Sequence, residues 1–138
     1  MKNIKRKILN IKKDSRGFFV EILRLEDLKL KNKQFGQVSI STAKPGQTKG
    51  EHYHLRKTEW FCVIKGKGLL KLIDMKSGET EKIKMSENNM VTVQIPPNVW
   101  HAISNTGKND MYLLAYISEP YNPKDPDTFN RGINYVPN

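Results

Sequence analysis

Cysteine is almost absent from this chain: Cys62 is the only one among 138 residues. A lone thiol excludes an intrachain disulfide and agrees with a reducing compartment, so a cytoplasmic location is expected. Long apolar runs are missing as well. No stretch approaches the about 18 residues that a membrane helix needs, and no membrane partner is expected. The basic start, Met1-Lys-Asn-Ile-Lys-Arg-Lys, is followed by no apolar segment and no small-residue cleavage site, so no secretory signal is read there. There is no helix-length stripe of period 3.6, no internal repeat and no low-complexity segment. Acidic residues are scarce, 14 against 24 Lys and Arg, which leaves a formal net charge of +10. The lysines are spread over the whole length and fall mostly at polar positions of alternating stretches. They do not form the clustered basic footprint of a nucleic-acid binder, so no nucleic-acid partner is expected. The surplus reads first as a solvated surface and second as a field that attracts a small anion such as a diphosphate.

What is present is a series of short alternating segments. A chain of this length makes one domain with a real core. Strands are predicted over Lys2–Ile11, Phe18–Leu25, Gln37–Thr42, the stretch through His52 and His54, Glu59–Lys65, Leu69–Asp74, Thr80–Met85, Met90–Ile95, Val99–Ser104 and Asp110–Ser118. Turn chemistry separates them, as in Asp14-Ser-Arg-Gly17, Lys44-Pro-Gly46, Lys76-Ser-Gly78 and Pro96-Pro-Asn98. Glu26–Lys33 reads as a polar connection with one helical turn around Leu25, Leu28 and Leu30. Turn signals every eight to twelve residues point to an all-β sandwich or barrel. The division expected is N-terminal strands over 2–25, a core over about 37–118 and an irregular tail over 119–138, rich in Pro, Asn and Asp.

The three histidines carry the chemistry. His52 and His54 are two apart on one predicted strand and so share a face. Glu59 opens the next strand, and His101 follows the Pro96-Pro-Asn98 turn. Two imidazoles, a carboxylate and a third imidazole from across a barrel make four convergent N and O ligands. Such a set suits Zn, Fe, Mn, Ni or Cu and leaves open positions; ligand types alone do not choose among them. Taken singly, a His-x-His pair is more often a packing or surface feature. The spacing here is stricter, because Gly46, His52, His54, Glu59 and Gly66 fall as G-x5-H-x-H-x4-E-x6-G. Pro96, Asn98, His101 and Asn105 fall as P-x-G-x2-H-x3-N with Asn in the glycine place, and Asn tolerates left-handed backbone. These are the two motifs of the cupins, which the chain resembles over about residues 37–118; Met90 stands where the second motif would open with glycine. The resemblance implies a double-stranded β-helix, or jelly-roll, barrel.

Two groups of cupins are more similar. Asp14-Ser-Arg-Gly17-Phe-Phe, Lys49-Gly-Glu-His52-Tyr and Tyr121-Asn-Pro resemble stretches of dTDP-4-dehydrorhamnose 3,5-epimerases, the RmlC type. That resemblance implies His52 as a base next to a keto group and Tyr121 as an acid on the other face. Gly50-Glu-His-Tyr-His54, Ile95-Pro-Pro-Asn-Val-Trp-His101 and Asn122-Pro-Lys-Asp-Pro-Asp-Thr128 look closer still to the cupin domain of capsular-polysaccharide enzymes acting on UDP-linked deoxysugars. There a metal sits on the histidine and glutamate cluster beside an epimerisation activity. The resemblance thus implies a divalent transition metal on His52, His54, Glu59 and His101, zinc before the others, with a metal-free site as the other case. The partner reductase domain of those enzymes is missing here, so a reduction step would need a separate sugar reductase. Cupins of this type form dimers, and a homodimer is expected.

The expectation is an epimerase or ketoisomerase acting on a nucleotide-diphosphate 4-keto-6-deoxysugar in surface-polysaccharide synthesis. A C–H beside a ketone becomes accessible to a positioned base when the enolate oxygen is stabilised. Arg16, Lys49, Arg56 and Lys57 are the candidate partners of the diphosphate; each taken singly also reads as surface charge. If His52 holds a metal it cannot be the free base, and Tyr53, Tyr112 or Tyr121, or a water on the metal, would carry the proton. The rivals are a metal-dependent cupin oxygenase on the same four ligands and a non-catalytic sugar-binding cupin. Trp60 and Trp100 alternate with Glu59 and His101 and are expected to pack against a second sheet or subunit, with Cys62 a small buried hydrophobe beside Trp60.

Overall fold

The computed structural model describes residues 1–29 and 34–130. Eleven strands and one helical turn follow in order: β1 (Lys5–Ile8), β2 (Lys12–Asp14), β3 (Gly17–Phe19), α1 (Leu25–Leu28), β4 (Gln37–Ala43), β5 (Thr48–His52), β6 (Glu59–Lys65), β7 (Lys67–Asp74), β8 (Thr80–Ser86), β9 (Val91–Ile95), β10 (Val99–Asn105) and β11 (Met111–Ile117). All pairings are antiparallel. Five strands form one sheet in the order β1-β9-β6-β11-β4, four form a second in the order β5-β10-β7-β8, and β2-β3 is a separate hairpin. The all-β expectation holds, and the turns fall where Pro, Gly and Asn place them.

The core lies between the two sheets because alternate residues of facing strands are apolar. Phe61 and Val63 of β6, Leu70 and Leu72 of β7, Val93 and Ile95 of β9 and Ile103 of β10 share one buried cluster. On β4 the pattern runs the other way. Val38 and Ile40 are on one face as expected, but it is the outer one, 52% and 58% exposed. Ser39 and Ser41, paired with Ala115 and Leu113 of β11, turn toward the interior. Small side chains there leave space that a Val or Ile would fill.

The N-terminal expectations need correction. The first strand is only Lys5–Ile8, and the strand read through Phe18–Leu25 stops at Phe19. The reason is packing on a face in place of pairing at an edge. Val20 and Ile22 lie against a small cluster of Leu9, Cys62 and Met90, and the Ile22 carbonyl accepts a hydrogen bond from the Thr92 hydroxyl at 2.9 Å. The segment therefore crosses the outer face of the five-stranded sheet. Trp60 is 3% exposed and meets Tyr116 at 5.6 Å between ring centroids. Cys62 is buried, and that burial pushes its thiol up to about 11, far from nucleophilic reactivity. The helical turn at Leu25 and Leu28 is present; Leu30, like the tail from 131 to 138, lies outside the described residues.

Candidate active site

β5 carries His52 at its last position, and its backbone is irregular just before that. Gly50 has φ 93° and Glu51 φ 65°. Opposite them the register on β10 slips: His52 pairs with His101, but Gly50 pairs with Ala102. Two residues of β5 thus face one of β10, which is a β-bulge. The slip sets the site's wall. Plain alternation would send Lys49 to the side opposite His52; with the bulge, Lys49 pairs with the inward Ile103 and lines the same cavity as His52. Glycine is required at position 50, because a Cβ there would sit 3.0 Å from the His101 carbonyl oxygen at a φ that L side chains rarely adopt.

His54 lies beyond the end of β5. Tyr53 forms a two-hydrogen-bond bridge with Phe129 of the tail, at 2.8 and 3.0 Å, and this carries the chain inward. Glu59 opens β6 and His101 sits in mid-β10. The four side chains meet as expected. All are buried, and their candidate donor atoms lie within 4.8 Å of one another. Three imidazole Nε2 atoms converge on one carboxylate oxygen, Glu59 Oε1: His54 at 2.5 Å, His101 at 3.2 Å and His52 at 3.7 Å.

The outer nitrogens define the electrostatics. His54 Nδ1 is 2.6 Å from the Asp127 carbonyl, and His101 Nδ1 is 3.0 Å from the Val99 carbonyl. A carbonyl can only accept, so both Nδ1 atoms carry protons, and in the neutral rings Nε2 presents a lone pair toward Glu59. Two acceptors would then face an acceptor. Only a proton or a metal ion between them makes that arrangement favourable, and carbonyl-held imidazoles beside a carboxylate are the usual surroundings of a metal ligand. The residues therefore fit a divalent ion. Burial opposes charge on Glu59, but the three surrounding imidazoles outweigh it and hold the carboxyl well below its usual range. Burial likewise disfavours a charged His54, yet the bond to Glu59 and the Asp127 carbonyl prevail and raise it. His52 goes the other way: burial lowers it, and its Nδ1 is buried without a partner.

A cavity of about 490 Å³ opens beside this cluster. Its wall includes His52, Glu59, Lys49 and Tyr121, with Gln37, Ser39 and Ser41 from β4. His52 is the one histidine on the wall; His54 and His101 lie behind it. Tyr121 is held by its backbone N–H, which donates to Gln37 Oε1 at 2.9 Å. Neither Tyr53 nor Tyr112 is among the lining residues.

The other basic candidates lie elsewhere. Arg16 is on the β2-β3 hairpin, paired with Asp14 at 2.8 Å. Arg56 grips Glu119 and Asp125 at 3.0 and 3.1 Å, and the carboxylate of Glu119 first of all raises its already high pKa. Lys57 is 2% exposed, donates to the Pro126 carbonyl at 3.1 Å and stands 5.8 Å from the centre of the Tyr121 ring. Within the described chain, Lys49 alone of the four lines the cavity. Sequence reasoning missed the β4 polar face, whose signal was serines at alternate positions. It also missed Asp127, which lay inside a stretch noticed only for its likeness to other proteins.

Residues 12–129 match the family described as "Polysaccharide biosynthesis C-terminal domain". A UDP-2-acetamido-2,6-beta-L-arabino-hexul-4-ose reductase of Pseudomonas aeruginosa is 37% identical over 116 residues, which are 84% of this chain and 29% of that protein. The chain thus spans under a third of that relative. The spore coat polysaccharide biosynthesis protein SpsL of Bacillus subtilis is 32% identical over 119 residues, 83% of this chain and 78% of that one. In three dimensions, the dTDP-6-deoxy-D-glucose-3,5-epimerase RmlC of Legionella pneumophila, solved with dTDP-4-keto-L-rhamnose, superposes with a TM-score of 0.78 at 21% identity, covering 92% of this chain and 71% of that one. The two facing antiparallel sheets, the paired histidine motifs and these similarities agree on an RmlC-like cupin fold, and the chain belongs to the polysaccharide biosynthesis C-terminal domain family.

Proposed function

We propose that this protein is an epimerase of a nucleotide-diphosphate 4-keto-6-deoxysugar in surface-polysaccharide synthesis. The observation that carries the reading is one cavity whose wall presents His52, Lys49 and Tyr121 together. A sugar ring seated there has a neutral imidazole on one side and a phenol on the cavity rim. His52 suits the base: burial keeps it uncharged, and at 3.7 Å it is the most loosely held to Glu59 of the three rings. Tyr121 is the acid that returns a proton. Lys49 supplies positive charge to the enolate oxygen or the diphosphate. His54, His101 and Glu59 would hold a divalent ion, zinc first, which when bound would supply Lewis-acid polarisation of a keto oxygen.

A second reading is favoured by the closeness of all four donor atoms, within 4.8 Å. It makes His52 the fourth ligand and passes the proton to Tyr121. Deuterium uptake from solvent into the keto sugar, followed with metal-loaded and chelator-treated protein, tests both. Under the first reading His52→Asn abolishes exchange and keeps the metal. Under the second it loses the metal as well, and Tyr121→Phe becomes the variant that stops exchange. No exchange in the unaltered protein with any such sugar would overturn the epimerase reading in favour of a binding cupin or an oxygenase. The protein acts in the cytoplasm as a homodimer, and a sugar reductase activity consumes its product. Support for the last point comes from the relative named a reductase, of which this chain matches 29%.

A further inference from the structure

The tail residue Asp127 has no place in the mechanism above, yet the structure concentrates contacts on it. It is 5% exposed and adopts a left-handed backbone, φ 50°. Its carboxylate accepts three consecutive backbone N–H groups: Leu55 at 3.0 Å on Oδ1, then Arg56 at 3.0 Å and Lys57 at 3.2 Å on Oδ2. Its own carbonyl accepts the His54 Nδ1–H at 2.6 Å. Neighbours on both sides are fastened too, Pro126 by the Lys57 ammonium and Phe129 by the Tyr53 bridge.

We propose that Asp127 is a positioning residue that acts through His54: its carboxylate pins the tail to the 55–57 loop so that its carbonyl fixes the His54 ring and aims Nε2 at Glu59 and a bound ion. The argument is geometric. A backbone carbonyl can orient an imidazole only if the segment that bears it cannot drift. This segment lies outside the sheets, so its anchor must be local. Three amides converging on one carboxylate supply that anchor, and they sit directly after His54 in the chain. The ring and its acceptor are therefore clamped to the same short loop. Asparagine cannot replace the anchor, since it offers one acceptor oxygen and would turn an N–H₂ donor toward N–H donors. The inference rests on the metal reading of the cluster given above.

The test uses the full chain labelled with ¹⁵N, and compares it with Asp127→Asn, Asp127→Gly and the control Asp125→Asn. Asp127→Gly keeps the left-handed backbone free of strain and removes the side chain with its carboxylate. Two quantities are read: protection of the His54 Nδ1–H from exchange with water, and zinc affinity by competition with a chelator. The expected result is a protected Nδ1–H in the unaltered chain and in Asp125→Asn, lost in both Asp127 variants, with zinc affinity about 10- to 100-fold weaker, the range for loss of an outer partner of a metal ligand. A merely structural role would lower the melting temperature and leave both quantities unchanged below the transition, which would overturn the proposal. A rapidly exchanging His54 Nδ1–H in the unaltered chain would overturn it even if the variants fail to fold. Neither readout requires turnover, so absence of epimerase activity would sink the functional reading and leave this one standing.

Discussion

At the scale of single residues, the site depends on a few positions whose identity the backbone dictates. Gly50 is the sharpest case. Gly50→Ala should destabilise the fold by about 1 to 3 kcal/mol, the usual cost of a strained backbone position, because the methyl meets the His101 carbonyl oxygen at 3.0 Å. Urea denaturation would measure it, and an unchanged midpoint would refute the bulge geometry. Glu59→Ala removes the one carboxylate that faces all three imidazoles. Metal content and melting temperature should fall together, since an ion bound only to the native state stabilises it; elemental analysis beside a thermal scan checks this. The histidines and Glu59 were legible in the sequence because their spacing is fixed by strand and turn lengths. Lys49 was legible only as one basic residue among many. Its entry into the cavity depends on a bulge, and a bulge leaves no mark in the alternation pattern.

At the scale of elements, the strands between Gln37 and Ile117 were readable from period-two patterning and turn chemistry. The N-terminal segment was not, because Phe18–Leu25 has strand-like composition but spends it packing on a sheet face. One of its anchors is titratable. Asp27 accepts the Arg24 backbone N–H at 2.8 Å, and this bond, with a weaker contribution from Lys7, holds its carboxyl below the ordinary 3.8. A depressed carboxyl stabilises the fold above its unfolded pKa and loses that contribution as pH falls through the lower, folded value. Asp27→Asn should therefore show a shallower loss of stability below pH 3.8 than the unaltered chain. Denaturation midpoints across an acid series would decide. The tail is the other element that composition misjudged. Pro, Asn and Asp announce irregular backbone, and residues 120–130 have no strand, but irregular here means fastened, through Asp125, Pro126 and Asp127, to the loop after His54.

At the scale of the molecule, the fold brings His52 and His54, two residues apart, together with the distant His101 around one carboxylate and leaves a cavity where β4 offers serines. Filling that space is a direct test of where substrate sits. Ser41→Leu should leave the fold intact, since the side chain enters a void, and should abolish solvent-proton exchange and weaken binding of a nucleotide-sugar by at least about tenfold, followed by calorimetry. Retained binding would move the substrate elsewhere.

The bulge at Gly50 and Glu51 has a further meaning when β5 is viewed as a wave. A strand repeats every two residues, so groups an odd number apart are out of phase. Lys49 and His52, three apart, are brought into phase by the slip. A change that healed the irregularity without deleting a residue would bring Thr48 inward and turn Lys49 out. The cavity would exchange an ammonium for a hydroxyl with its local composition intact. In this protein the charge of the cavity is written in the phase of one strand as much as in its letters.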